Sequence, residues 1–298
     1  MFGGSMPISG WDVAAVLLKA VTYAATLTAA GGVFFLMYCR ALLAERERLR
    51  IRRSVGLLIA VAILASCGRI AALTASMSDA FAGMFDASMI SLLLSGGEGR
   101  ATGWRLSGLL LMAAALLSAR RPELACIGAV VAVVSFAAVG HAYAASSALP
   151  VLPVLVLSVH LVCVAFWLGA LAPLLSIAGE TGVARTAALA ARFGTAALGV
   201  VGILVITGSI VLSVLLDGVA QLWTTRYGRL VSLKLGLVIL LLAFAAFNKL
   251  RWTPRLLAGD ESAVRALRRS IKAEMLIAGL ILLVTATFTT VTGPGSEE

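Results

Sequence analysis

Only two of the 298 residues are histidine, four are cysteine, four are tyrosine, and charged residues make up 13%. So little charge excludes a soluble globular domain, which needs a polar exterior. The cysteines (Cys39, Cys67, Cys126, Cys163) stand singly without CxxC spacing. That excludes a disulfide framework or a zinc ribbon and leaves buried thiols as the default. Absent too are GxSxG, a P-loop, HExxH and any histidine set beside a nucleophile and an orienting carboxylate. The chain reads as no enzyme, and any transport would be channel-like, ion-coupled or driven by a partner. No fixed-period repeat supports an inverted-repeat transporter. No cleavable signal peptide is expected, since the first apolar run is too long and has no basic region before it.

What fills the chain is apolar. Hydrophobic residues make up 61% of it, in continuous runs, many of them reaching the ~18 residues that cross a hydrocarbon core. Continuous rather than alternating runs exclude a β-barrel. The expected fold is all-α: a polytopic helical membrane protein, one transmembrane domain over 1–298. The net charge of +10 does not point to nucleic acid, because Lys and Arg gather in the loops between runs. Spans are expected at 12–38, 54–76, 104–119, 124–143, 152–177, 193–216, 230–250 and 271–291. The loop CRALLAERERLRIRR and the segment KLRWTPRLLAGDESAVRALRRSIK are the most basic and mark the cytoplasmic side. Arg120, Arg121, Arg185 and Arg192 fall with them, while Arg226 and Arg229 fall outside. Eight crossings with both termini outside follow. Residues 261–271 are expected to lie as a short amphipathic helix on anionic membrane lipid.

The stretch from Met77 to Trp104 does not fit a full crossing. Its apolar piece, 89–94, is short, with Asp79 and Asp86 before it and SGGEGR after it. It is expected to be re-entrant or to lie at the outer surface. Lys19, Arg69 and Lys234 fall inside spans, each in the outer half, where a bare charge needs a partner. Asp79, Asp86 and Glu98 are the candidates. Such pairs either pin the short segment to the bundle or line a polar vestibule.

His141 ends one apolar run, and His160 lies a short way into the next, after a loop marked by Pro150 and Pro153. Adjacent helices joined by a short loop run antiparallel, so both imidazoles belong to the outer half, His160 roughly 12 Å deep. A histidine within a span is costly without a function or a bond to a neighbouring helix. Two, lying toward one side, favour a metal-ligand pair. Imidazole serves copper, zinc, iron and haem, and its company decides between them. Cys163 shares a helix face with His160, Trp167 lies one turn further, and the outer segment supplies Met77, Met84 and Met89. Thioether, thiol and imidazole together select Cu(I) over Cu(II), and the lack of a carboxylate–histidine cluster argues against zinc. Taken singly, these methionines and Cys163 are more often packing than ligands.

Four stretches carry a resemblance: GHAYAAS at 140–146, VHLVCVAFWLGALAPLL at 159–175, RFGTAALGVVGILVITGSI at 192–210 and YGRLVSLKLGLVILLLAFAAFNKLRWTPRL at 227–256. In order and spacing they resemble the CopD/PcoD (YebZ-like) family of bacterial copper-resistance inner-membrane proteins, over a core of about 140–291 with its His-bearing helices at about 124–177. The N-terminal half is similar only in general architecture. The resemblance implies copper handling between periplasm and cytoplasm, with His141 and His160 as ligands and a separate CopC-like periplasmic protein as donor. It leans toward uptake. Ala170 departs from a second glycine expected after Gly169. Two other readings stay open: a b-type haem electron carrier with the two histidines as axial ligands, and a scaffold subunit without a ligand.

Overall fold

The computed structural model describes residues 10–118, 121–138, 151–178, 180, 182–216, 218 and 220–290. Its main helices in chain order are α1 (Gly10–Tyr38), α2 (Glu45–Ser78), α3 (Ala87–Ser95), α4 (Gly97–Ser118), α5 (Pro122–Val134), α6 (Val151–Ile177), α7 (Val183–Leu215), α8 (Arg226–Phe247) and α9 (Glu261–Phe288). Among the described residues there is no strand. Seven of these helices, all but α3 and α5, are long and apolar enough to cross a membrane. A 3-10 turn extends α5 into a shorter apolar helix, Pro122–Ala138. Each of the eight expected crossings thus has a helix. In hydrocarbon a helix satisfies its backbone polar groups within one segment, so long apolar runs fold this way. The chain is a polytopic helical membrane protein.

Several helices outrun their apolar runs. α2 begins at Glu45, where the Glu47 carboxylate accepts the Ala44 amide at 2.7 Å and two acidic residues face the positive end of the helix dipole. α4 begins at Gly97 rather than 104. The amphipathic stretch 261–271 is no separate helix. It is the first part of α9, capped by Asp260, whose carboxylate accepts the Ser262 amide at 2.8 Å. Between α8 and α9 the chain forms a five-residue π-helical segment, Asn248–Trp252, and a further turn, Thr253–Leu257.

The stretch after α2 lies on the surface rather than entering the bundle. Asp79 ends α2 in the left-handed region (φ 48°), which aspartate tolerates better than most side chains. Asp86 caps α3, accepting the amides of Ser88 (2.8 Å) and Met89 (3.2 Å). The Ser88 hydroxyl and these amides hold its carboxyl below the usual carboxylate range. No residue of α3 is buried, and the segment packs on α2 and α4.

α1 is the hub, packing on α2, α5, α6 and α9. Its crossing with α6 rests on Gly31 and Gly169, because a Cβ on either would run into the other's helix backbone. Ala170, beside this crossing, is buried without any second glycine. At the Tyr38 end of α1 the basic turns gather, held by Arg50 to Glu180 and by Arg185 to Glu47 (3.6 Å). Arg192 donates to the Tyr38 carbonyl at 3.1 Å and covers the Tyr38 ring. The Gly10 end carries α3 and the starts of α4, α6 and α8.

Candidate metal centre

His160 is the tenth residue of α6 and is half-buried against α7. Its Nδ1 stands 3.0 Å from Thr207 Oγ1. The Thr207 hydroxyl already donates to the Ile203 carbonyl at 2.7 Å, the back-bond a helical threonine makes to its own preceding turn. Its oxygen is therefore an acceptor, and Nδ1 carries the proton. The Leu204 carbonyl of the same α7 turn is a second hydrogen-bond partner of the ring, and a ring held through Nδ1 turns Nε2 away from this contact, the orienting role a partner atom plays for metal-bound histidine. Gly208 follows Thr207, and the imidazole edge lies against it.

Other groups named from the sequence fall at different places. Cys163 is a free, half-buried thiol one turn along α6. Trp167 is buried and hydrogen-bonds the Glu274 carboxylate. Lys234 of α8 lies 5.4 Å from the centre of the Phe288 ring. Met77 is in the last turn of α2, and Met84 and Met89 ride on the surface segment against α2 and α4, whereas α6 packs on α1, α5, α7 and α9. His141 lies outside the described residues. Among the described residues no three His, Cys, Asp or Glu are grouped to hold a metal ion.

A second polar group sits at the Gly10 end. Arg69 of α2 pairs with Glu98 of α4, both largely buried. Lys19 of α1 donates to the Thr289 carbonyl (2.9 Å) and the Thr290 hydroxyl (3.2 Å) rather than to a carboxylate. Arg105, not singled out in the sequence, is 3% exposed and stacks 4.2 Å from the centre of the Phe136 ring. Of the three carboxylates offered as partners, Glu98 serves a cation, while Asp79 and Asp86 end and begin helices. Arg69 with Glu98 ties the start of α4 to α2. Buried Arg69 and Arg105 and half-buried Lys19 gather here, with Glu98 as the carboxylate paired to one of them.

The family model for the N-terminal domain of copper resistance protein D-like proteins matches residues 10–151, and that for copper resistance protein D matches 187–288. Together they take in most of the chain. The chain belongs to the copper resistance protein D family. No curated protein and no solved structure matches it. The resemblance read from the sequence covered the C-terminal half, whereas the matches reach into α1 as well. In this copper resistance protein D chain, Lys19, Arg69, Arg105 and His141 fall within the N-terminal match, and Thr207, Lys234 and Asn248 within the C-terminal one. His160 lies between the two.

A third polar group of this copper resistance protein was missed by the sequence reading. Glu274 is the fourteenth residue of α9 and is 2% exposed. Asn248 Nδ2 and Trp167 both hydrogen-bond its carboxylate. A lone acidic residue inside the run 271–291 was the available signal. Its partners, 26 and 107 positions away, become visible only in the packed bundle.

Proposed function

We propose that this protein moves copper across the bacterial inner membrane, taking Cu(I) from the periplasm and delivering it toward the cytoplasm. The observation that carries the reading is His160, turned by Thr207 so that Nε2 is free, in a membrane chain of a copper-resistance family. His141 is proposed as the second ligand and Cys163, on the same face of α6, as a third. Imidazole and thiol suit Cu(I). Copper is here the cargo, held by few ligands so that it can leave again.

Orientation follows from charge. The Tyr38 end bears the basic turns and faces the cytoplasm, leaving both termini periplasmic. His160 then stands in the periplasmic half. Met77 at the end of α2 and Met84 and Met89 on the segment after it are proposed to lie at the periplasmic surface, where thioethers would make the first contact with arriving Cu(I) rather than share a coordination sphere with His160. A separate CopC-like periplasmic protein is the proposed donor. Cellular copper measured with and without the protein, at fixed external copper, tests the direction. Uptake requires more copper on expression, and less copper would reject it.

A further inference from the structure

An ionisable side chain inside a spanning helix is costly and is there for a reason. Glu274 sits midway along α9, 2% exposed, and its carboxylate is reached by side chains from two other parts of the bundle. Trp167 comes from α6, two turns past His160 and roughly 10 Å along the helix axis from it. Asn248 comes from the first position of the π-helical segment. A π turn inserts one extra residue per turn and re-aims the side chains beside it, a device common at functional sites. Here it turns Asn248 onto Glu274, with the Thr253 hydroxyl closing the segment onto the Asn248 carbonyl at 3.0 Å.

Both partners of the carboxylate are donors, as an ionised acid requires. Two buried polar atoms beside it have no partner: Asn248 Oδ1, and the Ser270 hydroxyl, which shares Glu274's face of α9 one turn earlier. The Ser270 hydroxyl can donate to the ionised carboxylate or accept the O–H of the protonated one. The Asn248 amide can serve both states, offering Nδ2–H to the carboxylate or, turned over, Oδ1 to the carboxyl O–H. Both neighbours can thus answer either protonation state of the carboxyl, a versatility that a group built only for packing would not need.

Charges on the surrounding elements are engaged elsewhere. Arg192 of α7 covers Tyr38 of α1, the Lys249 side chain lies along Gly194 of α7, Arg255 pairs with Asp260, and Arg268 of α9 faces Glu180. No charged side chain bears on Glu274 among the described residues. Exposed Lys272, two positions before it on α9, marks how close the wet basic end comes.

We propose that Glu274 is a proton-exchange site in the membrane, switched between its two states by Asn248 and Ser270 and held by Trp167. A proton passes from hydronium at the basic end onto the carboxylate, giving the carboxylic acid and water, and returns by the reverse step. Resting on the copper reading above, this makes copper movement proton-coupled, with the two sites stacked along α6.

Infrared difference spectra of the full-length protein in lipid, between high and low pH, test the site directly. A protonated-carboxyl band should grow on acidification, vanish in Glu274→Gln, and persist at a shifted frequency in Trp167→Phe. An identical band in Glu274→Gln would overturn the proposal, and an unmoved band in Trp167→Phe would remove Trp167 from it. Proteoliposomes test the coupling: an imposed pH difference should alter wild-type copper uptake, and Glu274→Gln should lose that dependence. Retained dependence in the variant refutes the coupling. No uptake by the wild type would refute both the copper reading and the coupling, while the infrared titration still decides the proton site.

Discussion

His160 Nδ1 and Thr207 Oγ1 stand 3.0 Å apart across the contact of α6 and α7, and the threonine hydroxyl is already committed to Ile203. With the Leu204 carbonyl, this contact holds the imidazole against α7. Thr207→Val keeps the shape of the side chain but removes the acceptor. Loss of such an orienting partner typically lowers metal affinity roughly 10–100-fold. Competition titration with a Cu(I) chelator on purified Thr207→Val should show a loss in that range, and wild-type affinity would show that the bond does not orient the ligand.

Arg69 and Glu98 form the one ion pair between α2 and α4 named above, with side chains 8% and 19% exposed. Removing one member of a buried pair leaves an uncompensated charge and costs about 3–5 kcal/mol, whereas replacing both with apolar residues is often neutral. Lys19 and Arg105 nearby sharpen the contrast, since without Glu98 three cations share the region. Glu98→Gln should destabilise the detergent-solubilised protein by about 3–5 kcal/mol, and Arg69→Met with Glu98→Leu should recover most of that. Equal unfolding midpoints for Glu98→Gln and wild type would show the pair to be hydrated.

Asp260 supplies a pH-dependent contact outside the spans. The Ser262 hydroxyl and the Arg255 guanidinium hold its carboxyl down at about 2. The folded value lies below the ~4 of an unfolded aspartate, so the cap is intact above ~4 and is lost as pH falls through about 2. Amide hydrogen exchange in the first turn of α9 should stay slow from pH 7 to 4. Asp260→Ala should speed it at every pH. Fraying of this turn already at pH 5 would contradict the assignment.

The side on which His160 opens is tested by reporter fusions. Reporters after Arg53, Arg121, Ala184 and Ala263 should report cytoplasm, and those after Ser147, Gly218 and Glu298 periplasm. A cytoplasmic signal at Ser147 would reverse the orientation proposed for the site.

The apolar runs made the helices legible, because length alone decides whether a segment crosses. α1 was expected at 12–38 and runs Gly10–Tyr38. Helix ends were less legible: charged residues such as Glu45–Arg53 read as a loop, yet they are sound helix formers and continue α2 into water. The surface segment stayed open between two placements because α3, nine residues long, can be read as dipping or lying flat. At the candidate site, His160 and Cys163 were visible as residues in a span. Their orientation was not, since Thr207 sits 47 positions away. Glu274 was visible as a letter and passed over, and only its tie to Trp167 and Asn248 marks it as a site.

The most direct test of copper binding is Cu(I) competition titration of the folded His141→Ala, His160→Ala double variant beside the wild type. Helix association in lipid rests on distributed packing, so the variant should remain folded. The account predicts loss of most Cu(I) affinity, and in the wild type a weakening as pH falls through the ordinary histidine range near ~6.5, since imidazole ligates only when unprotonated. Cu(I) affinity equal to the wild type in the folded double variant would contradict it and leave His160 with Thr207 as a contact between helices.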